Sequence, residues 1–335
     1  MGIDSLNENG AGVLLAPAPF ISFRSPADMV RALSLLSLSG LMLFAAICIV
    51  SQEASAQDLR PNIPKPGVLR VCADPDNMPL SNQKGEGFEQ KIAELVAREW
   101  NAKIEYAWWP VRRGFFARAL NGRYCDVAIQ APAEFDMAGV TKPYFRSGYV
   151  FVTRKDRGLD IKSLADPRLK KMKIGVNILN SDAENTPPAM ALSRYGVVGN
   201  LVGFPTFYTD TIRPEDIVTA VAKKEIDVGI VWGPLAGYFA KRSTVPLALQ
   251  PLAERDSLTD YQFRFSIGMG VRRRDRGLRD SLQTVLERRA PEIQAILKEY
   301  GVPTFPIPAE SPEEPEAKAT GARAPSADSG QAANR

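Results

Sequence analysis

The 335-residue sequence contains no histidine, and this absence excludes several kinds of site. A Ser-His-Asp or Cys-His nucleophile needs an imidazole as its base, and histidine-dependent zinc, copper and haem sites need it as a ligand. Only three cysteines are present, and no two form a Cys-x-x-Cys motif. No pair of acidic residues is placed as a glycosidase requires. The sequence therefore indicates a binding protein rather than an enzyme, with no resident metal or cofactor.

A basic arm and an aromatic RNA-binding motif are also lacking. Residues 57–308 carry 37 Lys and Arg against 29 Asp and Glu, a net charge of +8 that is dispersed along the chain. This balance favours an acidic partner or an anionic ligand, and the dispersal argues against nucleic acid. We expect a monomer.

The one long hydrophobic run lies near the amino terminus, from Ala32 to Val50, and it is preceded by Arg24 and Arg31. The small residues 54–56 follow it, as they do where a signal peptidase cuts. We therefore predict that residues 1–56 form a cleaved signal peptide region and that the protein is periplasmic. A retained membrane anchor is the alternative, because a run of this length could just span a bilayer. At the other end, residues 309–335 have no large apolar residue and are predicted to be a disordered tail.

The segment 67–130 alternates between strand and helix patterns. Strands are predicted at 68–73, 103–109 and 125–129, and helices at 88–100 and 112–120. Successive crossovers of this kind are right-handed and give parallel strands, here in the order 2-1-3. The loops that follow the strands are then the binding edge of an open α/β sheet.

The two cysteines beyond the signal region lie near the ends of two of these strands. Cys72 is in the first strand and Cys125 opens the third, and these strands are neighbours in the order 2-1-3. A disulfide between them is geometrically possible if the registers match. Two separately buried thiols are the alternative.

A second α/β unit begins after a strand at 148–152, and a strand at 263–271 returns the chain to the first unit. Two crossings predict two lobes joined by a two-stranded hinge, with a cleft between them. The predicted class is α/β, a two-lobed type II periplasmic-binding-protein fold in which each lobe is an open, mostly parallel sheet flanked by helices. Lobe 1 comprises 66–152 plus 264–308, and lobe 2 comprises 153–263.

Several motifs carry a more specific resemblance. They are Leu69–Asn77, Lys84–Glu89, Trp108–Pro110 followed by Arg112–Phe115, Cys125–Val127, Thr141–Tyr144, Ser163–Leu169, Lys173–Val176 and Tyr300–Pro303. In these motifs, over about residues 66 to 306, the chain resembles the quinoprotein-dehydrogenase-associated solute-binding proteins of methylotrophic bacteria, the MoxJ/XoxJ group of family 3. The resemblance implies a periplasmic accessory protein that binds a PQQ-dependent methanol or alcohol dehydrogenase, lanthanide-dependent enzymes included, and assists its maturation or activation.

The anchors that hold a free amino acid in related binding proteins are missing. The loop after the third strand, 131–136, has no arginine for the ligand carboxylate, and the loop 177–182 lacks the Gly-Thr pair. Trp232 stands where an acid would hold the ligand ammonium. We therefore exclude a free amino acid as the ligand.

Aromatic and polar side chains near these loops are the candidate site. They are Asp74, Asn77, Trp108, Trp109, Arg112, Arg113, Tyr144, Asn177, Ser181, Tyr208 and Trp232. Such a set suits an apolar ligand or an inserted protein segment in the cleft. An ordinary transport receptor for a small solute, such as PQQ or an aromatic acid, is the alternative function.

Some of these residues have equally simple structural explanations. Asp74 and Asn77 could cap a turn, Trp108 could be core, and Arg112 and Arg113 could be solvated. The triple Arg at 272–274 is expected to be a solvated strand exit, with a phosphate or lipid site as the alternative. Glycines at 229, 233 and 237 are spaced for close packing and do not form a nucleotide loop.

Overall fold

The computed structural model describes residues 64–112, 114–179, 185–209 and 211–308. The predicted signal region, the tail, Arg113 and Ser181 lie outside these residues. No helix within the described ranges is long and apolar enough to cross a membrane. The strands are β1 Val68–Ala73, β2 Asp76–Asn77, β3 Ser81–Asn82, β4 Lys103–Trp108, β5 Val127–Pro132, β6 Gly139–Val140, β7 Phe145–Arg154, β8 Ile174–Ile178, β9 Leu201–Pro205, β10 Val228–Trp232, β11 Leu247–Pro251 and β12 Arg264–Val271. The helices are α1 Phe88–Glu99, α2 Pro187–Arg194, α3 Asp216–Ala222, α4 Gly233–Arg242, α5 Arg276–Arg288 and α6 Ala290–Glu299.

The first three long strands are parallel, and their spatial order is the predicted 2-1-3. Strand β1 lies between β4 and β5, with Val71 opposite Tyr106 on one side and Val127 on the other. Strand β12 then pairs with β5 in the antiparallel direction. The polar loop that follows β1 is thus at the carboxyl edge of a parallel sheet, where such sheets bind ligands.

Strand β7 is shared between two groups of strands. Its first residues pair with β12, from Phe145 opposite Ile267 to Gly148 opposite Arg264. Beyond Gly148, the same strand pairs with β10 and β11, and β10 continues through β8 to β9. The chain therefore passes between the two groups along β7 and β12, as a two-stranded hinge requires. The lobe boundaries given above stay a prediction.

The alternating side chains of β7 show how the second group is covered on both faces. Phe151 packs with Ile161 and Leu192 on one face of the sheet. Its neighbours Val150 and Val152 belong to a separate core on the other face, with helix α3. Successive side chains of a strand point to opposite faces, so one apolar run fills two cores. Phe145, earlier in the strand, packs in the core of the first group.

Two local expectations for the first group have different outcomes. Cys72 and Cys125 form a disulfide, with their Cα atoms 5.2 Å apart. The helix predicted over 112–120 is wrong, because only a five-residue π-helix, Phe116–Leu120, forms. Gly114 has a φ of +88°, outside the right-handed helical region, so a helix cannot continue through it.

The expectation that Arg272 is solvated is also wrong. Its side chain is buried and donates to the Cys125 carbonyl at 2.6 Å and to the Asp126 carboxylate at 2.6 Å. Arg70 donates two more hydrogen bonds to Asp126, at 2.7 and 2.8 Å. Buried charges need partners of opposite sign, and this pairing is possible only where β1, β5 and β12 are neighbours.

Gly237 brings helix α4 against the turn after α6. A Cβ on Gly237 would lie 1.9 Å from the Gly301 carbonyl oxygen, a backbone atom that has little room to move. We expect Gly237→Ala to lower the free energy of unfolding by about 1–3 kcal/mol through overpacking, measured by urea denaturation. Gly199→Ala is the control, because no atom lies within 4 Å of its added Cβ. Equal stability of the two variants would contradict this packing argument.

Candidate functional site

A cavity of about 210 Å³ lies between the two groups of strands. We call it the cleft cavity. Its lining comes from β2 and the turn after it, from the loops after β4, β8 and β9, from the residue before α2, and from β7, β8, β10 and α4. The lining residues are Asn77, Pro79, Leu80, Val111, Tyr149, Asn177, Leu179, Thr186, Thr206, Tyr208, Trp232 and Leu235. None of these carries a formal charge. Over the described residues, the cleft cavity therefore offers no ionic partner for a charged ligand.

Asp74 holds the lobe-1 side of the cleft together. Its carboxylate accepts hydrogen bonds from the backbone N–H of Asp76 at 3.0 Å and of Val111 at 2.5 Å. Its own backbone exchanges two hydrogen bonds with the Ser81 hydroxyl. Burial raises the pKa of Asp74, although the two backbone donors act in the opposite direction. Asp74 thus caps a turn and fixes Val111 at the cavity.

Trp232 forms the floor of the cleft cavity. It is the last residue of β10, and its ring makes an edge contact with Tyr149 of β7, with centroids 5.5 Å apart. Phe265 of β12 lies on another side, at 6.0 Å. The aromatic floor is therefore built from β10 and both hinge strands.

On the lobe-2 side, the main contact joins the ends of β8 and α2. The Thr186 hydroxyl donates to the Asn177 carbonyl at 2.7 Å, and both residues are buried. This bond satisfies a carbonyl near the end of β8 and holds the start of α2 against the cavity.

Tyr208 lies on the lobe-2 side of the cleft cavity, across from Asp74, and is close enough for the Asp74 charge to affect its hydroxyl. Burial raises the pKa of the Tyr208 hydroxyl, and nearby carboxylates, Asp74 first among them, add to the increase. Further out, an Arg213 nitrogen lies 4.0 Å from an Asp76 oxygen, an ion pair between exposed side chains of the two lobes. An exposed pair at this distance contributes little stability.

The edge of the cleft cavity exposes apolar side chains. Val111 is 44% exposed and Leu179 is 53% exposed, and both also line the cavity. Phe207, between the lining residues Thr206 and Tyr208, is 47% exposed. We call these three residues the apolar rim. Exposed apolar side chains grouped around a cavity are typical of a surface that contacts another molecule.

Behind Asp74, Glu89 is a buried carboxyl in the first turn of α1. Burial, together with the nearby Asp74 charge, raises the pKa of Glu89 to about 8. Tyr144 lies close to it in the core, and its hydroxyl donates to the Ile129 carbonyl at 2.9 Å. Glu89 is therefore protonated over most of the physiological range.

We expect the stability of the protein to fall as the pH rises from about 5 to 8. The Glu89 carboxyl loses its proton near pH 4.5 in the unfolded chain but near pH 8 in the folded protein. Between these values the folded protein binds more protons, so the free energy of unfolding decreases with pH. Glu89→Gln removes this titration. The free energy of unfolding of the variant should therefore increase relative to that of the wild type as the pH rises, measured by urea denaturation.

The half-exposed Glu94 on the same helix supplies the control. Glu94→Gln should keep the slope of the wild type. A Glu89→Gln variant with an unchanged slope would contradict the assignment of the titration to Glu89.

The structure brings four of the predicted site residues together at the cleft cavity: Asn77, Asn177, Tyr208 and Trp232. Asp74 is one hydrogen bond away, through Val111. Whether they bind a ligand stays a prediction.

Four other candidates lie elsewhere. Trp108 stacks on Tyr106 with centroids 5.0 Å apart, and Trp109 packs against Tyr124 beside the core near the disulfide. Arg112 is exposed and does not line the cavity. Tyr144, placed near the cleft from the sequence, is instead a core residue, because its ring packs in lobe 1 and the Ile129 carbonyl satisfies its hydroxyl.

Several cavity residues were not anticipated. Tyr149 lies within a strand pattern, and Thr186 precedes a helix as any cap would. Val111 and Leu179 are single apolar residues in loops, where composition gives no signal. Within the described ranges, no group of three or more Cys, Asp or Glu side chains is placed to hold a metal ion.

The two groups of strands, the hinge and the cleft between them define a two-lobed binding protein. The chain matches the family model for bacterial extracellular solute-binding proteins over residues 113–302. It is 34% identical over 285 residues to MoxJ of Methylorubrum extorquens, covering 80% of this chain and 93% of that one. With MoxJ of Paracoccus denitrificans it shares 29% identity over 247 residues, 71% of this chain and 89% of the relative.

Two solved structures agree with this assignment. The periplasmic binding protein XoxJ from Methylobacterium extorquens AM1 is 39% identical, with a TM-score of 0.59 over 71% of this chain and 100% of that one. MxaJ from Methlophaga aminisulfidivorans MPT is 29% identical, with a TM-score of 0.62 and the same coverage. The chain belongs to the bacterial extracellular solute-binding protein family and is a MoxJ/XoxJ-like periplasmic binding protein. The type II fold class and the resemblance inferred from the sequence are confirmed.

Proposed function

We propose that this protein is a non-enzymatic periplasmic accessory protein that binds a PQQ-dependent methanol or alcohol dehydrogenase and assists its maturation or activation. One observation carries the proposal: the described residues that line the cleft cavity are uncharged, and its edge carries the apolar rim. A small charged solute would need ionic or strongly polar partners on burial. Apolar rim side chains instead suit a protein segment that covers them. The sequence resemblance to the MoxJ/XoxJ group, which implies such a dehydrogenase as the partner, supports the proposal.

Mixing the purified protein with the dehydrogenase tests the proposal. We expect the two to co-purify at micromolar concentration and the activity of the dehydrogenase to rise. A dehydrogenase that neither binds nor gains activity would overturn it. The proposal also includes removal of residues 1–56 as a signal peptide. Amino-terminal sequencing of the exported protein should give a chain that begins near residue 57, and an uncut chain would contradict this part of the proposal.

Substitution of Leu179 in the apolar rim should weaken the complex. A charge at Leu179 would be desolvated beneath the partner, and we expect Leu179→Asp to raise the Kd for the dehydrogenase by about tenfold or more. Leu258→Asp is a matched control, because Leu258 is 58% exposed and Leu179 is 53% exposed. Leu258 does not line the cleft cavity. Equal Kd values for the two variants, by surface plasmon resonance, would show that the rim is not the contact.

The alternative is a substrate-binding protein of an ABC transporter for a small solute such as PQQ or an aromatic acid. The aromatic walls, Tyr149, Tyr208 and Trp232, favour it. The volume of about 210 Å³ argues against it, since ligand pockets usually hold at least about 300 Å³. A thermal-shift screen separates the two functions, because a ligand that binds only the folded protein raises Tm. A clear shift with PQQ or an aromatic acid would favour the transport function.

A further inference from the structure

A second cavity lies in lobe 1, away from the cleft. It has a volume of about 390 Å³, and residues Arg272 to Asp275, directly after β12, form one wall. Asn121, Arg123, Asp136 and Met137 form the rest. We call it the arginine pocket. Among the described residues, it shares no lining residue with the cleft cavity.

The arginine pocket is at the opposite edge of the sheet from the cleft. Asp126 binds Arg272, and its backbone N–H donates to the carbonyl of Arg70 on β1. Arg70 lies four residues before Asp74, the first residue after β1. Four strand residues span about 13 Å. The cleft begins after the carboxyl end of β1, whereas the arginine pocket opens before the amino end of β5. A molecule in one site therefore does not occupy the other.

The arginine pocket has more positive charge than the surrounding residues neutralise. Four arginines and two aspartates line it, which leaves a net charge of +2. Arg272 is paired with Asp126 and with Asp275, at 2.6 and 2.7 Å. In the described part of the chain, the side chains of Arg123, Arg273 and Arg274 have no ion pair. With respect to the described residues, these three guanidinium groups are thus available to bind an anion.

The backbone that presents these arginines is held in place. The buried Arg272 guanidinium binds the carbonyls of Leu120 and Cys125, which fixes the start of the segment 272–274. Arg123 has a φ of +65°, and its carbonyl accepts a hydrogen bond from Arg70 at 3.1 Å. A pre-positioned backbone reduces the ordering entropy lost when a ligand binds.

We propose that the arginine pocket binds the carboxylates of an acidic protein segment that also has an apolar side chain. Arginine binds carboxylates through paired hydrogen bonds, and two or three such groups in one pocket suit several acidic side chains. Met137, 43% exposed in the pocket wall, provides an adaptable apolar contact. Asp136 in the same wall would repel a compact dianion such as phosphate more strongly than separated single carboxylates.

A synthetic peptide tests the proposal directly. The probe is a blocked peptide of sequence Glu-Glu-Leu-Glu-Glu, and its glutamine analogue, Gln-Gln-Leu-Gln-Gln, is the uncharged control. We expect the full chain to bind the acidic peptide but not its glutamine analogue. The affinity for the acidic peptide should fall as salt is added. The triple variant R123Q/R273Q/R274Q should weaken binding by about tenfold or more, measured by isothermal titration calorimetry.

A second triple variant controls for the total charge. Lys170, Lys171 and Arg194 are exposed residues of lobe 2, and K170Q/K171Q/R194Q removes the same charge. This variant should bind the peptide within about twofold of the wild type. Equal weakening in the two triples would overturn the proposal, because it would indicate a general attraction to a basic protein.

Two further outcomes would also overturn the proposal. They are failure of the wild type to bind the acidic peptide, and tighter binding of inorganic phosphate than of the peptide. If the first triple lowers Tm, the single variant R273Q replaces it, and unchanged affinity there would contradict the assignment. This proposal and the proposed function can fail separately. Leu179→Asp, which should weaken binding of the dehydrogenase, should leave the affinity for the acidic peptide unchanged.

Discussion

Replacing Asp126 with alanine will lower the free energy of unfolding by about 3–5 kcal/mol. The Asp126 side chain is fully buried and is the shared acceptor of Arg70 and Arg272. Without it, the buried Arg272 guanidinium keeps its charge but loses a principal counterion. Arg70, about a quarter exposed, can still reach water. Breaking a buried pair from one side is costly mainly because the remaining charge stays desolvated.

Urea denaturation of the variant and of a surface control measures this effect. Asp280 pairs with Arg279 at 2.8 Å, but both side chains are exposed, so Asp280→Ala should change stability by less than about 1 kcal/mol. A loss of similar size for the two variants would show that burial of the Asp126 network contributes no more than a surface ion pair.

Removing the disulfide with the double variant C72A/C125A will lower the free energy of unfolding by about 4 kcal/mol. The bond joins residues 53 positions apart in the sequence, so it restricts a long loop in the unfolded chain. Both residues are buried in a small core with Phe115 and Leu120. The loss should therefore be seen as a lower midpoint in urea unfolding under non-reducing conditions.

A reductant supplies the control for the disulfide. When the wild type is unfolded by urea in the presence of dithiothreitol, its free energy of unfolding should fall close to that of C72A/C125A. The free energy of unfolding of the variant should not change with dithiothreitol. A wild type that keeps its full stability after reduction would contradict the prediction. Because Cys125 adjoins Asp126, and Arg272 binds the Cys125 carbonyl, the two losses should not add when the variants are combined.

The Asp126 network and the disulfide also bear on the arginine pocket. Both lie where β1, β5 and β12 are side by side, and Arg272 extends from this network to the wall of the pocket. Disruption at Asp126 should therefore disturb the pocket as well as the fold. For this reason the peptide experiment uses the exposed arginines and not Asp126.

Much of the architecture could be predicted from local patterns. The apolar run 68–73 became β1, and Phe88, Ile92 and Val96 lie on the buried face of α1. Their spacing follows from the geometry of strands and helices, which neighbouring residues fix by themselves. The segment 112–120 failed the same test, since Gly114 adopts a left-handed φ that a periodic pattern does not reveal.

The candidate site was predicted less completely, for a physical reason. Trp232 and Tyr208 lie at the cleft cavity as expected, whereas Tyr144 is core and Trp109 packs near the disulfide. An aromatic ring beside a loop can turn to the core or to the cleft. Which it does depends on the neighbours that the strand order supplies, not on adjacent residues.

The sequence by itself determined the class of fold, the hinge crossings, the possible disulfide, and the exclusion of histidine-based sites. Periodicity and residue chemistry carry that information locally. Only the tertiary structure decided that Arg272 is buried beside Asp126. It also decided that, among the described residues, Arg273 and Arg274 have no ion pair in their pocket and the lining of the cleft cavity is uncharged behind an apolar rim. These features depend on which distant segments become neighbours, because burial and charge pairing are set by three-dimensional packing.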